Sequence, residues 1–170
     1  MKIIISPAKK MNIREDELEW ANLPCFLSRA EELKRYIQGL DLDQARKLWQ
    51  CNEKIALLNY GRFKEMDLER RLTPALLSYE GIQYQYMAPG VFEQGQWDYV
   101  QEHLRILSGF YGILKPLDGI VPYRLEMQAK VELPSGIKSL YDYWGSSICR
   151  ELAADETLIV NLASKEYSRA

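Results

Sequence analysis

Residues that could bind a phosphate group, or support such a site, stand at or just after the ends of several apolar segments. The candidate phosphate contacts are Ser6, Lys9, Lys10, Ser108, Gly109, Arg124, Ser164 and Lys165, and the supporting polar residues are Tyr111, Glu126, Asn161 and Glu166. In open α/β folds, ligands bind outside the carboxyl ends of the strands, where the residues that follow the strands gather. Guanidinium, ammonium and backbone N–H groups can together surround phosphate oxygens. The pattern predicts a phosphate-binding cluster, with Ser6, Lys9, Ser108, Arg124, Ser164 and Lys165 on one face of the fold.

A purely structural role is the alternative for the same residues. Serines and glycines form turns, and opposite charges can pair without binding anything else. Arg124 and Glu126 are two residues apart in a segment predicted to be extended, so both side chains face one side. They could therefore form an ion pair that only supports the fold.

A second basic group lies between Gln44 and Lys64, where five basic residues accompany one acidic residue, Glu53. Asp41 and Gln44 have the spacing of a capping box, which is typical of a helix start. Apolar residues recur at helical spacing before and after a break at Cys51-Asn52. Residues 41–65 are therefore predicted to form two helices joined by a tight turn. A solvated helix face is the alternative explanation for the charge run.

Several chemistries find no support in the sequence. Gly109 and Gly112 form only a G-x-x-G, and no Walker or dinucleotide-binding fingerprint is present. One histidine, His103, has no serine near it that would suggest a catalytic triad. The three cysteines, at positions 25, 51 and 149, match no zinc or redox spacing and are expected to be buried thiols. We expect no metal site, and no catalytic constellation is recognisable.

The fold is predicted to be α/β (mixed α+β), a single domain over residues 1–170 in which helices pack on a central mixed sheet. The strands are expected at Lys2–Ser6, Leu104–Ser108, Tyr123–Met127 and Leu158–Leu162, where apolar, β-rich runs occur. One helix is expected to begin at Ser28 and end at Gly39, and another to run from Ser139 through Leu152. No apolar run approaches the roughly 20 residues that span a bilayer, so we expect a cytoplasmic protein without membrane contact.

Four stretches together resemble the YaaA family of peroxide-stress proteins. They are Ile3-Ile4-Ile5-Ser6-Pro7-Ala8-Lys9-Lys10-Met11, residues 104–118 (LRILSGFYGILKPLD), Pro122-Tyr123-Arg124-Leu125-Glu126-Met127 and Asn161-Leu162-Ala163-Ser164-Lys165-Glu166-Tyr167. Leu140-Tyr141-Asp142-Tyr143-Trp144-Gly145 is also similar. The resemblance runs in order along the whole chain. Gln128 departs from the glycine that members often have there, and members continue past the equivalent of Ala170, so we expect a chain truncated at its C-terminus.

The resemblance implies a protein that limits oxidative damage to DNA and proteins, in part by keeping free iron low. It also implies a basic cleft, a helix-hairpin-helix element, and no metal or organic cofactor. The helix pair at 41–65 is the candidate for that element, with Lys54, Arg62 and Lys64 as phosphate contacts. The usual hairpin glycines are absent, because Gly61 comes too late. An ordinary αα-hairpin that packs on the core is the alternative.

Two functions follow from these observations. The first is sequence-independent binding to duplex or branched DNA, with phosphate contacts from Lys9, Lys10, Arg124, Lys165 and the 41–65 hairpin. The second is an enzyme that acts on a phosphorylated or nucleotide-like small molecule at the cluster of Ser, Lys, Arg and Glu residues. A long, open basic groove would favour the first, and a closed pocket would favour the second. The sequence leaves the oligomeric state open.

Overall fold

The computed structural model describes residues 1–14, 18–154 and 158–170. The strands are β1 Lys2–Ile5, β2 Lys10–Met11, β3 Thr73–Pro74, β4 Tyr79–Glu80, β5 Leu104–Ser108, β6 Gly112–Leu114, β7 Gly119–Ile120 and β8 Ile159–Asn161. The helices are α1 Leu27–Gln38, α2 Leu42–Trp49, α3 Glu53–Lys64, α4 Ala75–Ser78, α5 Ile82–Met87, α6 Gln94–His103, α7 Leu140–Trp144 and α8 Ser147–Ala153. A short 3₁₀ turn covers Pro89–Val91.

Strand β1 lies in the middle of a four-stranded sheet whose order is β6-β5-β1-β8. It is parallel to both neighbours, with Ile3 opposite Leu104 of β5 and opposite Val160 of β8. Strand β6 is antiparallel to β5, which makes the sheet mixed. The predicted fold class is therefore confirmed: the described residues form one compact domain in which eight α-helices accompany a mixed sheet.

The core follows from the apolar pattern of the central strands. Ile5 and Ile106 pair across β1 and β5 and are almost completely buried. Helix α6 packs on these two strands. Aromatic rings extend the core away from the sheet, since Phe110 contacts Phe63 edge-on and stacks on Tyr123. The sheet and the helices therefore share one continuous core.

The segment Tyr123–Met127 was predicted as a strand, and this prediction is wrong. Its side chains do alternate, since Tyr123, Leu125 and Met127 are buried while Arg124 and Glu126 are partly exposed. No strand of the described chain pairs with it, however. It begins after Pro122, which has no N–H to donate, and it lies against Gly109 instead. The side chains of residues 123–127 alternate in burial because this extended segment packs on the core, and the segment has no hydrogen-bonded partner strand among the described residues.

Two helix boundaries also differ from the prediction. Helix α1 begins at Leu27, with no side-chain cap from Ser28, because Leu27 N–H already donates to Pro24 and starts the turn earlier. Ser139 does cap a helix, accepting from the Asp142 N–H. That helix ends at Trp144, where Gly145 takes a φ of +50°, and α8 is a separate helix. The capping box of Asp41 and Gln44 at the start of α2 is confirmed.

The cysteines are not buried as expected. Cys25 and Cys149 are exposed and Cys51 is half-buried. Partial burial of the Cys25 sulfur and the nearby carboxylates of Glu151 and Asp118 nevertheless raise the pKa of this thiol to about 11. Since the thiolate is the reactive form, Cys25 is a poor nucleophile near neutral pH.

The described residues contain no group of three or more His, Cys, Asp or Glu side chains placed to hold a metal ion. None of the helices formed by these residues combines the length and the apolar character that crossing a bilayer requires.

Asp118 provides a test of the core. The residue is 3% exposed, its carboxylate accepts a hydrogen bond from Lys115 N–H at 2.8 Å, and burial raises its pKa to about 6. The folded state therefore holds this proton to a higher pH than the unfolded state, and stability from this group falls as pH rises from about 4 to about 6. We predict that Asp118→Asn raises the free energy of unfolding at pH 8 by about 2 kcal/mol.

Urea unfolding of both proteins at pH 4 and pH 8 measures this effect. The difference between them should be small at pH 4, where the carboxyl of the wild type is largely protonated in the folded state. A variant that is less stable than the wild type at pH 8 would contradict the prediction.

Candidate functional site

Three parallel strands end at the same edge of the sheet, and the loops that follow them meet there. Strands β1, β5 and β8 run in one direction, so Ile5, Ser108 and Asn161 lie at one edge. We call this region the strand-end edge and define it by Ser6, Lys9, Arg124, Glu126, Ser164 and Lys165. Its position corresponds to the place where open α/β folds bind ligands.

The loops after β1 and β8 are tied together by two serines. Ser164 N–H donates to Ser6 Oγ at 2.9 Å, and the two hydroxyl oxygens are 3.3 Å apart. Asn161 Oδ1 accepts from Ala163 N–H at 2.9 Å and turns the chain out of β8. On the other side, the Tyr84 hydroxyl donates to the Ser6 carbonyl at 2.8 Å. The predicted proximity of Ser6 and Ser164 thus takes the form of a direct contact.

Glu126 joins the two cations Lys9 and Arg124. Its carboxylate oxygens lie 2.9 Å from Lys9 Nζ and 3.1 Å from Arg124 Nη2. The Lys9 side chain is 64% exposed, whereas Glu126 and Arg124 are 15% and 12% exposed. Arg124 Nε is buried without a hydrogen-bond partner. Glu126 and Arg124 therefore form a largely buried pair, and Lys9 reaches outward from it.

The space enclosed at this edge is small. Lys9, Arg124, Glu126 and Tyr167 help to line a cavity of about 20 Å³, which is room for about one water molecule. Burial and the nearby Glu166 and Glu126 carboxylates keep the pKa of Tyr167 well above its usual range. Its phenol is therefore neutral, and the strand-end edge is a charged surface rather than a closed pocket.

Ser108 lies beneath this surface and does not face solvent. Its Oγ is 2.6 Å from the Tyr123 hydroxyl, which is 2.8 Å from the Tyr79 hydroxyl. The same oxygen accepts from Phe110 N–H and Tyr111 N–H, at 3.2 and 2.9 Å. Ser108 is completely buried, so it shapes the end of β5 and is not placed to contact a ligand.

Gly109 and Tyr111 have structural positions as well. A Cβ on Gly109 would lie 2.5 Å from the Leu125 carbonyl oxygen, so only glycine lets residues 125–127 pass this close. Tyr111 is completely buried, and its hydroxyl accepts from Val121 N–H at 3.3 Å. Tyr79, Tyr123 and Tyr167 were not among the site residues predicted from the sequence. Tyr123 and Tyr167 stand within the stretches that resemble the family, which was the signal available for them.

The remaining charged residues have different surroundings. Lys10 Nζ lies 2.6 Å from Glu80 Oε2 on the neighbouring strand β4, and its side chain is 77% exposed. Glu166 accepts from Gln128 N–H at 3.3 Å, and its carbonyl accepts from the Tyr141 hydroxyl at 2.8 Å. Lys165 is exposed and has no partner among the residues that the structure describes. It is thus available to an external anion.

Helices α2 and α3 pack against each other around a turn in which Gln50 takes a φ of +46°. The predicted pair of helices is confirmed, although its three candidate cations differ in availability. Lys54 is exposed. Arg62 is half-buried and donates to the Met11 carbonyl at 3.2 Å, and burial lowers its pKa. Lys64 Nζ donates to the Gln38 carbonyl at 2.9 Å and lies 5.0 Å from the Tyr60 ring.

The pairing of Arg124 with Glu126 leads to a prediction. Arg124→Ala removes a charge-assisted hydrogen bond to Glu126 and leaves this carboxylate with only the exposed Lys9 as a partner, so it should lower the free energy of unfolding by about 2 kcal/mol. The control is Lys9→Ala, which removes the exposed partner of the same carboxylate and should cost under about 1 kcal/mol. Denaturant unfolding of both variants tests this. Equal losses in the two variants, or no loss in Arg124→Ala, would show that the arginine does not support the fold.

Comparison with known proteins places the whole chain in one family. A family model described as "Peroxide stress protein YaaA" matches residues 1–170. A UPF0246 protein of Desulfitobacterium hafniense is 57% identical over 99% of this chain and 67% of its own length. UPF0246 proteins of Agathobacter rectalis and Pediococcus pentosaceus are 53% and 48% identical, over 68% and 67% of their lengths. The chain thus spans about two thirds of these relatives, and it belongs to the YaaA family of peroxide stress proteins.

Proposed function

We propose that this protein binds duplex or branched DNA through its phosphates, without reading sequence, and thereby limits oxidative damage to DNA. Membership in a peroxide stress family supports a role in the response to oxidative stress. The DNA contacts belong to the proposal, and they rest on the cations of the strand-end edge together with those of the α2–α3 pair.

The observation that carries the proposal is the gathering of exposed lysines over an edge with almost no enclosed space. Lys9 and Lys165 project from the loops after β1 and β8, and the serines of those loops are in contact. A cavity of about 20 Å³ is too small for a phosphorylated metabolite. An open surface with exposed ammonium groups suits a long polyanion, since contacts to phosphates carry no sequence information.

Lys54 is proposed as the contact from the α2–α3 pair, which would then act as a helix-hairpin-helix. Arg46 and Lys47 on α2 are also exposed and could add charge. Arg62 and Lys64 already donate to backbone carbonyls within the fold. In this proposal Arg62 and Lys64 hold the helix pair in place, and Lys54 contacts the phosphate.

A lowering of free iron in the cell is a further part of the proposal, and it follows from the family resemblance. Whole-cell electron paramagnetic resonance of chelated ferric iron measures this quantity. Deletion of the gene should raise the signal, and restoration of the gene should lower it again. Unchanged iron levels would remove this part and leave the DNA-binding part standing.

We predict weak DNA binding that depends strongly on salt. Neutralising about four phosphates should give a slope near −4 in a plot of log affinity against log salt concentration. Fluorescence anisotropy with duplexes of unrelated sequence and with a branched junction measures it. A flat salt dependence, or a strict preference for one sequence, would contradict sequence-independent contact with phosphates.

Lys54→Glu should weaken binding to every sequence alike and reduce the magnitude of the salt slope by about one or more. The matched control is Lys138→Glu, which makes the same change of charge at an exposed lysine outside both groups of cations. If both variants bind as the wild type does, the α2–α3 pair is only part of the core packing.

An enzyme acting on a phosphorylated or nucleotide-like small molecule is the second candidate, and one feature favours it. An open groove of about 410 Å³ lies beside Lys10, Arg14, Glu80 and Tyr84, close to the strand-end edge through the hydrogen bond from Tyr84 to Ser6. Its volume falls in the range of small-molecule sites. Calorimetric titration with nucleoside monophosphates distinguishes the two candidates: saturable binding that Lys10→Ala abolishes would support the enzyme.

A further inference from the structure

Strand β8 is the least covered strand of the central sheet. Ile159 is 39% exposed, and the flanking Leu158 and Leu162 are 57% and 63% exposed. The neighbouring strands differ sharply, since Ile5 of β1 and Ile106 of β5 are almost completely buried. Strands of parallel sheets are normally covered on both faces, so β8 lacks a covering layer among the described residues.

The outer edge of β8 is also unpaired in the described part of the chain, where β8 pairs only with β1. Lys2 N–H donates to the Leu158 carbonyl, and Leu162 N–H donates to the Ile4 carbonyl, both at 2.9 Å. Because successive residues of a strand direct their backbone groups to opposite sides, Ile159 and Asn161 direct theirs outward. Such an edge is a template for another strand.

The apolar side chains beside this edge lie on both faces of the sheet. Ile159 is opposite Lys2, whose Nζ donates to the Glu102 carbonyl at the end of α6, so Ile159 is on the α6 face. Leu158 and Leu162 lie on the other face. A single strand paired along β8, with its connecting segment packed over Leu158 and Leu162, would cover the edge and both leucines.

We propose that the outer edge of β8 pairs with a β-strand from the further third of the chain that the longer relatives carry. This chain spans 67% of the Desulfitobacterium hafniense relative, so each such relative has additional residues from which the strand can come. A second copy of this chain, paired edge to edge, is the competing occupant.

The added strand also affects the strand-end edge, a consequence that rests on the proposed function. One end of any strand paired with β8 lies beside Leu162, Ser164 and Lys165. The added segment therefore extends the strand-end edge on the far side of the loop that carries Lys165. A protein that carries the added segment should consequently bind DNA more tightly than residues 1–170 alone.

Proline substitution distinguishes the two sides of β8. Ile159→Pro removes an N–H that points outward, and proline is tolerated on edge strands in that position. Val160→Pro removes an inward N–H and should destabilise any form by breaking the ladder to β1. Each substitution is made in this chain and at the corresponding position of the Desulfitobacterium hafniense relative.

Thermal melts give the first result. Ile159→Pro should change the Tm of this chain by under about 2 °C and lower that of the relative by about 5 °C or more. Equal shifts in the two proteins would overturn the proposal. So would a dimer of this chain in analytical ultracentrifugation that Ile159→Pro converts to a monomer, because a second copy would then occupy the edge.

Anisotropy titrations give the second result. The relative should bind DNA about tenfold more tightly than its own proline variant at the same salt concentration, which corresponds to about one to two phosphate contacts. If neither protein binds DNA, the proposed function fails while the melts still decide whether β8 pairs with a further strand. If the melts succeed and the proline leaves DNA affinity unchanged, the added strand is structural and adds no contact to DNA.

Discussion

The parallel pairing of β1 with both β5 and β8 is the constraint on which the rest of the structure depends. Ile3 is the common point of the two registers, opposite Leu104 on one side and Val160 on the other. This arrangement brings three chain segments that are far apart in sequence to the same edge. A shift of one residue in either register would move the isoleucines of β1 to the wrong face, and the serines that join the loops would separate.

The buried residues beneath the strand-end edge position the charged side chains of Arg124 and Glu126. Ser108, Tyr123 and Tyr79 form a chain of buried hydroxyls, and Gly109 allows residues 125–127 to lie directly on the end of β5. Residues 123–127 therefore stay extended without a partner strand, and their alternation turns Arg124 and Glu126 toward Lys9. Interior packing, rather than a sheet ladder, thus fixes the buried ion pair.

The sequence predicted the elements whose causes are local. The apolar runs of β1, β5 and β8 and the capping box of Asp41 and Gln44 each specify a structure from neighbouring residues alone. Residues 123–127 were misassigned because alternation predicts an extended chain equally well with or without a partner. Ser108 was placed correctly at a strand end, but its burial depends on Tyr123 and Tyr79, which come from distant parts of the chain. The pairing of Arg124 with Glu126 was predictable as an alternative, whereas the participation of Lys9 required the tertiary fold.

The unequal exposure of Lys9, Glu126 and Arg124 explains how Lys9 could exchange the carboxylate of Glu126 for a phosphate group. Because the Lys9 side chain is 64% exposed, its ion pair with Glu126 contributes little to stability, so Lys9 can turn to a phosphate at small cost. Glu126 then keeps Arg124 as its partner at 3.1 Å, and no buried charge is left uncompensated. If Glu126 were paired with Lys9 alone, DNA binding by Lys9 would leave the carboxylate without a compensating positive charge. The buried arginine therefore makes the outer lysine available, although Arg124 itself need never touch a phosphate.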